Sequence, residues 1–268
     1  MSNESGFQLC DAGPGAYERY MVPLHRCDDR ANDLFDRVNL QPHEHVLDVG
    51  CGTGIVSRIA AKRVGIHGKV VGVDLNPAML EVAEQLATYI DNAEYLQGDA
   101  ASLPVDDGTF DAVFCQFSMM FFPDRLATAK EMFRALKPGG RVAINVFRTT
   151  EYNPCFKHLN AALAKHASPE ALEFMQSPFV IESTQELRTL FEQAGFKNIE
   201  VSNRIDTLRY PSVAHLVRYE TLNIPDPSVH TPQCQQALIQ EMTSLVSDSV
   251  DDQGVAFPSQ IFVLVATR

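Results

Sequence analysis

Nine residues, Val46 to Gly54, constrain this chain more than any others: V-L-D-V-G-C-G-T-G runs from an apolar strand pattern into a glycine-rich turn, and a helical pattern follows. Asp74 lies twenty residues past Gly54, at the end of a second apolar strand pattern, Val70 to Val73. This order suits a parallel sheet whose carboxyl edge holds a small molecule carrying a ribose. Glycine lets the turn approach such a ligand without a Cβ in the way, and an acid at Asp74 can accept from both ribose hydroxyls.

The same alternation continues along the chain. Strand patterns at Val46–Val49, Val70–Val73, Tyr95–Gln97, Ala112–Cys115 and Arg141–Phe147 are separated by helical patterns at Ile55–Arg63, Ala78–Ile90 and Leu126–Leu136. Asn76-Pro77 reads as an N-cap followed by proline at the first helical position. Lys137-Pro138-Gly139-Gly140 reads as a helix stop. A doubly wound, parallel α/β sheet accommodates this rhythm. After Phe147 it breaks into an irregular and helical insertion, then a helix opened by the Ser183/Glu186 capping box and closed by Gly195. A strand at Ile199–Asn203, a second insertion and a last strand at Gln260–Ala266 complete the chain. The expected organisation is a helical cap over 1–40, a core over 41–147, a lid insertion over 148–182, and a completing segment over 183–268 with its own insertion at about 206–255.

Composition removes several classes of function. The 268 residues carry a net charge of −12 without an offsetting basic stripe, which argues against nucleic acid as partner. Cys10, Cys27, Cys51, Cys115, Cys155 and Cys234 form no C-x-x-C pair, so reduced thiols and a cytoplasmic location are expected. No signal peptide is visible at the start, and no run of 18 apolar residues is present to span a bilayer. The expected state is monomer or homodimer.

Three acids lie within, at the end of, or just after successive strand patterns. Asp48 sits inside the first, before Gly50, Gly52 and Gly54. The spacing is G-x-G-x-G with Ile55 where the nicotinamide fingerprint wants its third glycine, so the turn suits a compact polar group such as a methionyl end. Asp74 is followed by Leu75 and Met79, which can sandwich a flat base. Asp99, in G-D-A, can accept from an exocyclic amine while the Ala100 N–H meets a ring nitrogen.

Together, V-L-D-V-G-C-G-T-G, V-V-G-V-D-L-N-P-A-M-L, the G-D-A-A-S-L-P segment through F-D-A-V-F-C, and A-L-K-P-G-G-R-V resemble the class I S-adenosylmethionine-dependent methyltransferases. The likeness is nearest to the small-molecule branch that includes quinone C-methyltransferases, and it covers roughly residues 40–147. It implies S-adenosylmethionine as cofactor and S-adenosylhomocysteine as product. It also implies a Rossmann-like, mostly parallel seven-stranded sheet with an antiparallel last strand and helical lid insertions. Asp48 would orient the glycine loop and methionyl end, Asp74 would hold the ribose, Asp99 and Ala100 the adenine, and Gln116 would border the methionyl group and acceptor.

The acceptor is less constrained. Tyr17, Tyr20, Met119, Phe121, Phe156 and Tyr210 are the candidates for an enclosed apolar acceptor pocket, some of the Met119–Phe122 run being core. Tyr20, His25 and His158 are the candidate bases or orienting groups. No metal is expected, because the histidines and cysteines show no ligand spacing. The leading expectation is methyl transfer to a specialised metabolite by in-line attack, with a quinone-ring C-methyltransferase as the alternative. A nicotinamide-dependent oxidoreductase, disfavoured by Asp48 and Ile55, and a catalytically silent adenosyl-binding module are the remaining readings.

Overall fold

The computed structural model describes residues 13–268; Cys10 and the first part of the expected cap lie outside the described residues. The chain enters through α1 (Gly13–Ala16), a π-helical turn (Tyr17–Met21), α2 (Val22–Leu24) and α3 (Cys27–Arg37). The alternating region follows as β1 (His45–Val49), α4 (Ile55–Val64), β2 (Lys69–Asp74), α5 (Pro77–Leu86), β3 (Ala93–Gln97), β4 (Phe110–Gln116), α6 (Arg125–Ala135) and β5 (Leu136–Phe147). The first insertion supplies α7 (Pro154–His166) and α8 (Pro169–Gln176), before α9 (Thr184–Ala194) and β6 (Lys197–Tyr210). The second supplies α10 (Val213–Glu220) and α11 (Pro232–Leu245), then β7 (Val250–Asp251) and β8 (Gly254–Thr267) close the chain.

The sheet order is β3-β2-β1-β4-β5-β8-β6, with the two-residue β7 paired to β8. The β1–β2, β2–β3, β1–β4 and β4–β5 pairs are parallel, and β8 runs antiparallel to both β5 and β6. Strand order therefore reverses beside β1, which opens a crevice at the carboxyl ends of β1 and β4. The central strands are apolar on both faces because helices cover both: Val46, Leu47, Val49, Val70 and Val73 are each at most 1 % exposed. Each such side chain contributes roughly 1.5–3 kcal/mol of burial.

Local chemistry sets the helix ends. The Asn76 side chain accepts from the Ala78 N–H with Pro77 at the first helical position, and Ser183 accepts from the Glu186 N–H. Gly195 ends α9 in the left-handed region at φ 105°.

Several boundaries differ from the sequence expectation: α5 ends at Leu86 rather than Ile90, β8 starts at Gly254 rather than Gln260, and two further differences shape the sheet. The Lys137–Gly140 stop is a bulge at the start of β5, where pairing jumps from Phe110↔Leu136 to Ala112↔Arg141. The sixth strand runs past Asn203 to Tyr210 and, after a register shift between Lys197 and Glu200, stays paired with β8 from Glu200↔Val265 to Tyr210↔Val255. Its alternation is carried by exposed Asn203, Ile205, Thr207 and Arg209 on one face and by buried Leu208 and Tyr210 on the other, so the second insertion begins after Tyr210 rather than near residue 206. Pro258 is accommodated because β5 pairs with β8 only from Ile261 onward, leaving β8 one neighbouring core strand there.

Candidate active site

The carboxyl edge of the sheet opens into one cavity of about 760 Å³, within the range of small-molecule sites. Asp48, Gly50, Gly52, Asp74, Leu75, Met79, Asp99 and Ala100 line one lobe. Tyr17, His25, Gln116, Phe121 and Phe156 line the other parts. Of the residues singled out from sequence, Gly54, Tyr20, Met119, His158 and Tyr210 do not line it.

Each absence has a physical reason. Gly54 is the capping residue ahead of α4, at φ 79°. Met119 opens a short 3-10 turn and is fully buried in the core. Tyr20 stacks on Tyr219 of α10, ring centroids 5.1 Å apart, and is 36 % exposed. His158 lies on α7, whose buried face is instead Cys155, Phe156, Leu159 and Leu163. Tyr210 is fully buried at the end of β6 and reaches the cavity only through Glu220, to which its hydroxyl donates at 2.5 Å.

The glycine turn hangs from β2: the Gly50 and Cys51 N–H groups both donate to the Val73 carbonyl, at 2.8 and 3.1 Å. Gly50 and Gly52 both adopt positive φ, 69° and 55°. A Cβ at Gly50 would collide with Ser118, whose hydroxyl donates to the Gly50 carbonyl. A Cβ at Gly52 would meet nothing within 4 Å. Gly50 is thus required by packing, whereas Gly52 keeps bare backbone beside the cavity.

Asp74 is held on both oxygens. One accepts from the Gly52 N–H at 2.8 Å and the other from the Asn76 N–H at 2.9 Å. Burial raises its pKa against those hydrogen bonds. One Asp99 oxygen accepts from the Ala101 N–H at 2.8 Å. Leu75, 54 % exposed, and buried Met79 supply apolar surface between these acids. An acid fixed beside bare glycine backbone, with apolar flanks and a second acid beyond, matches the donors and faces of an adenosyl group attached to an amino acid.

Asp48 lies deeper, 1 % exposed, with Ser57 Oγ donating to it at 2.6 Å. Burial, only partly offset by that hydrogen bond, pushes its pKa from 3.8 up to about 7. Its favourable contribution to folding is complete below about pH 4 and is lost as pH rises through about 7. The ligand-free protein is therefore expected to lose about 5–10 °C of melting temperature between pH 5 and 8, and Asp48→Asn to flatten that loss. Thermal scans across that range check it; an Asp48→Asn protein with the wild-type slope would contradict it.

The second lobe is aromatic. Phe117 and Phe147 stack at 4.6 Å, Phe147 and Phe179 lie 5.4 Å apart, and Phe156 and Phe179 4.6 Å apart. The His25 ring sits edge-on to Phe147 at 5.7 Å and parallel to Phe156 at 6.3 Å. Phe117 has φ 54°, uncommon for a bulky residue, and its N–H is held by both the carbonyl and the side-chain oxygen of Asn145. Gln116 donates to the Cys27 carbonyl at 2.9 Å and accepts from Asn145 at 3.2 Å, so its amide braces α3 against the strand tips. Sequence reasoning missed Phe117, Phe147, Glu220 and Asn223 on this wall. The strand-end positions of Phe147 and Phe117 were a usable signal; nothing local marks Glu220 or Asn223.

A strap covers the site. Glu18, in the π-helical turn, accepts from Thr53 Oγ1 at 2.5 Å and from Arg58 Nη2 at 2.6 Å. This fastens the segment carrying Tyr17 to the glycine turn. Burial raises the Tyr17 pKa, so its hydroxyl stays protonated. Among the described residues, no group of three or more His, Cys, Asp or Glu is placed to hold a metal ion, and no helix is long and apolar enough to cross a membrane.

Comparison with known proteins bears on this geometry. A family model described as "Methyltransferase domain" matches residues 46–140. The demethylmenaquinone methyltransferase of Staphylococcus aureus (strain JH9) is 38% identical over 167 residues, 58% of this chain and 68% of that protein. Among solved structures, the YcgJ protein from Bacillus subtilis matches with a TM-score of 0.64 at 18% identity, covering 89% of this chain and 97% of the other. A putative methyltransferase from Bacillus halodurans matches with 0.62 at 24%, covering 88% and 97%. These two likenesses establish a shared fold. The chain belongs to the class I S-adenosylmethionine-dependent methyltransferases, related to the quinone-type enzymes, and methylates a small molecule.

Proposed function

We propose that the acceptor is the reduced form of a quinone-type aromatic ring and that the methyl group goes to a ring carbon. The sequence alone leaned toward a specialised metabolite; the 38% identity to a demethylmenaquinone methyltransferase supports the quinone-ring alternative instead. The observation that carries the reading within the structure is the aromatic lobe: flat faces of Phe117, Phe147, Phe156 and Phe179 around one imidazole, with buried oxygens of Glu220 and Asn223 beside it. Flat apolar walls suit a ring, and hydrogen-bond acceptors suit a hydroquinone, which donates, over a quinone, which cannot.

The bound cofactor supplies a methyl group on a sulfonium, activated for in-line attack. The chain's own residues position and exclude water. Asp74, Leu75, Met79, Asp99 and Ala100 are proposed to hold the adenosyl part, and Asp48 with the glycine turn the methionyl end. Near-attack positioning of this kind can supply roughly 7–11 kcal/mol of the barrier. Ring-carbon attack is strengthened when the acceptor's hydroxyl gives up its proton, and His25 is the one of the three sequence candidates that lines the cavity. It stands edge-on to Phe147 and parallel to Phe156 in the aromatic lobe. We assign it as proton acceptor.

The test uses 1,4-naphthohydroquinone kept reduced by dithiothreitol, with S-adenosylmethionine labelled at the methyl carbon. The expected product gains one methyl on a ring carbon, read by mass and carbon NMR. Label on oxygen, or no transfer to this ring, would contradict the reading.

A further inference from the structure

Two unfavourable features of the chain converge on one ring. Phe117, the residue after β4, holds φ 54°, a left-handed conformation that a bulky side chain adopts only where its surroundings enforce it. Arg30, on α3, is 1 % exposed. Its Nε donates to Asp206 at 3.1 Å, while Nη1 and Nη2 are buried and have no hydrogen-bond partner. Burial lowers the Arg30 pKa against the pull of Asp206, yet a guanidinium keeps its charge. What the guanidinium meets instead is the face of Phe117, its Cζ 4.8 Å from the ring centroid. A desolvated cation over an aromatic face is the strong form of this contact.

The ring so held stands where the two lobes meet. Three consecutive residues at the tip of β4 are each tied to a different neighbour. Gln116 donates to the carbonyl of Cys27, one turn before Arg30 on α3. The Phe117 N–H is held by Asn145, and the Phe117 ring stacks on Phe147 at 4.6 Å. The Ser118 hydroxyl donates to the Gly50 carbonyl at 2.8 Å. The left-handed turn thus lets Ser118 serve the glycine turn while its neighbour Phe117 walls the aromatic lobe, and both line the cavity. Arg30 does not line it.

We propose that Phe117 is the wall that sets where the acceptor ring lies relative to the methyl donor, and that Arg30 is a positioning residue that clamps this wall without touching acceptor or cofactor. The proposal deepens the quinone-ring reading and rests on it for the choice of acceptor. A flat ring packed against a wall that cannot tilt meets the sulfonium methyl at one angle. In-line transfer is sensitive to that angle, since a misplacement of about 1 Å lowers the rate roughly 100-fold. Lysine would not replace the flat, delocalised guanidinium in such a stack.

Arg30→Met fills a similar space and removes the cation. Asp206 keeps Arg204, whose Nε donates to it at 3.1 Å, so no carboxylate is left unpaired. Replacing a buried charge by an apolar side chain is then often neutral or stabilising. The melting temperature is expected to be no lower than in wild type, and the S-adenosylhomocysteine Kd to stay within about twofold. At the same time kcat on 1,4-naphthohydroquinone is expected to fall about 10–100-fold with its KM within about threefold. Wild-type kcat, or a rate loss matched by losses of melting temperature and cofactor affinity, would overturn the proposal.

Phe117→Gly tests the route. Glycine accepts φ 54° without strain, and the wall is gone, so kcat is expected to fall by about 100-fold. Adding Arg30→Met to it is expected to lower kcat by less than about twofold further, because the ring through which Arg30 acts is absent. Losses that multiply would count against the clamp. Should Phe117→Gly not fold, Phe117→Asn, which also tolerates positive φ, carries the same cycle.

The clamp is also read without any acceptor. Crystal structures with S-adenosylhomocysteine bound are expected to show one Phe117 rotamer, stacked on the guanidinium, in wild type and more than one in Arg30→Met. If wild type does not methylate the naphthohydroquinone but this result holds, the acceptor reading has failed and the clamp stands. A single, unmoved Phe117 rotamer in Arg30→Met overturns the clamp itself.

Discussion

Replacing Asp74 with alanine is expected to weaken binding of S-adenosylhomocysteine by at least about 100-fold, since two charge-assisted hydrogen bonds at about 1.5–3 kcal/mol each are lost. The carboxylate is held at the last residue of β2 by the Gly52 and Asn76 N–H groups, so it is oriented before any ligand arrives. Preorganisation of that kind is what makes a single acid worth so much to binding. Folding is affected differently. Burial raises the Asp74 pKa, so its ionised form opposes folding, and stability it contributes at acid pH is lost as pH rises through its folded value. Asp74→Asn, which retains an acceptor for one of the two N–H groups, is therefore expected to keep the wild-type melting temperature at pH 8 or exceed it while binding collapses. Calorimetric titration and thermal scans of both variants separate the two effects. Retained affinity in Asp74→Ala would contradict the ribose assignment, and a protein that merely unfolds in both would contradict the functional one.

The second large effect belongs to His25. His25→Ala is expected to lower kcat on the reduced naphthoquinone by about 100–1000-fold, in the range that a positioned proton acceptor contributes. Binding of S-adenosylhomocysteine is expected to stay within about twofold, because His25 stands among Phe147 and Phe156 rather than beside Asp74 or the glycine turn. His158→Ala is the control: that residue does not line the cavity, and its removal is expected to leave the rate unchanged. A His25→Ala enzyme at wild-type rate would remove the proton acceptor from the account. A loss shared equally between kcat and cofactor affinity would make the residue structural.

The contrast between these two sites follows how each is encoded. Asp48, the glycine turn, Asp74 and the Asn76-Pro77 start of α5 lie within one strand–turn–helix–strand unit. Short-range chemistry fixes them: an apolar strand, positive φ at glycine, a side-chain cap. That these residues meet along one side of the cavity was therefore legible from the sequence. The acceptor lobe is assembled from the entry segment, the tips of β4 and β5, and both insertions, which approach one another only in the folded chain. His25 meets Glu220 across 195 residues of sequence, and no periodicity marks either. Tyr210 misled for a related reason: an aromatic in an apparently irregular segment suggested a lid, but β6 continues that far and turns the ring into the core. The charges of Arg204 and Asp206 concealed the strand, since they lie on its inner face, paired with each other and with Asp33 and the buried Arg30, rather than marking a loop.

The central claim is that one cavity holds the adenosyl donor against Asp74 and presents its sulfur to the aromatic lobe. A crystal structure with S-adenosylhomocysteine bound tests it most directly. The expected density puts the ribose hydroxyls on Asp74, the base between Leu75 and Met79, and the sulfur toward Phe117, Phe147 and His25. A ligand seated with its sulfur turned away from that lobe, or bound outside this cavity, would contradict the account.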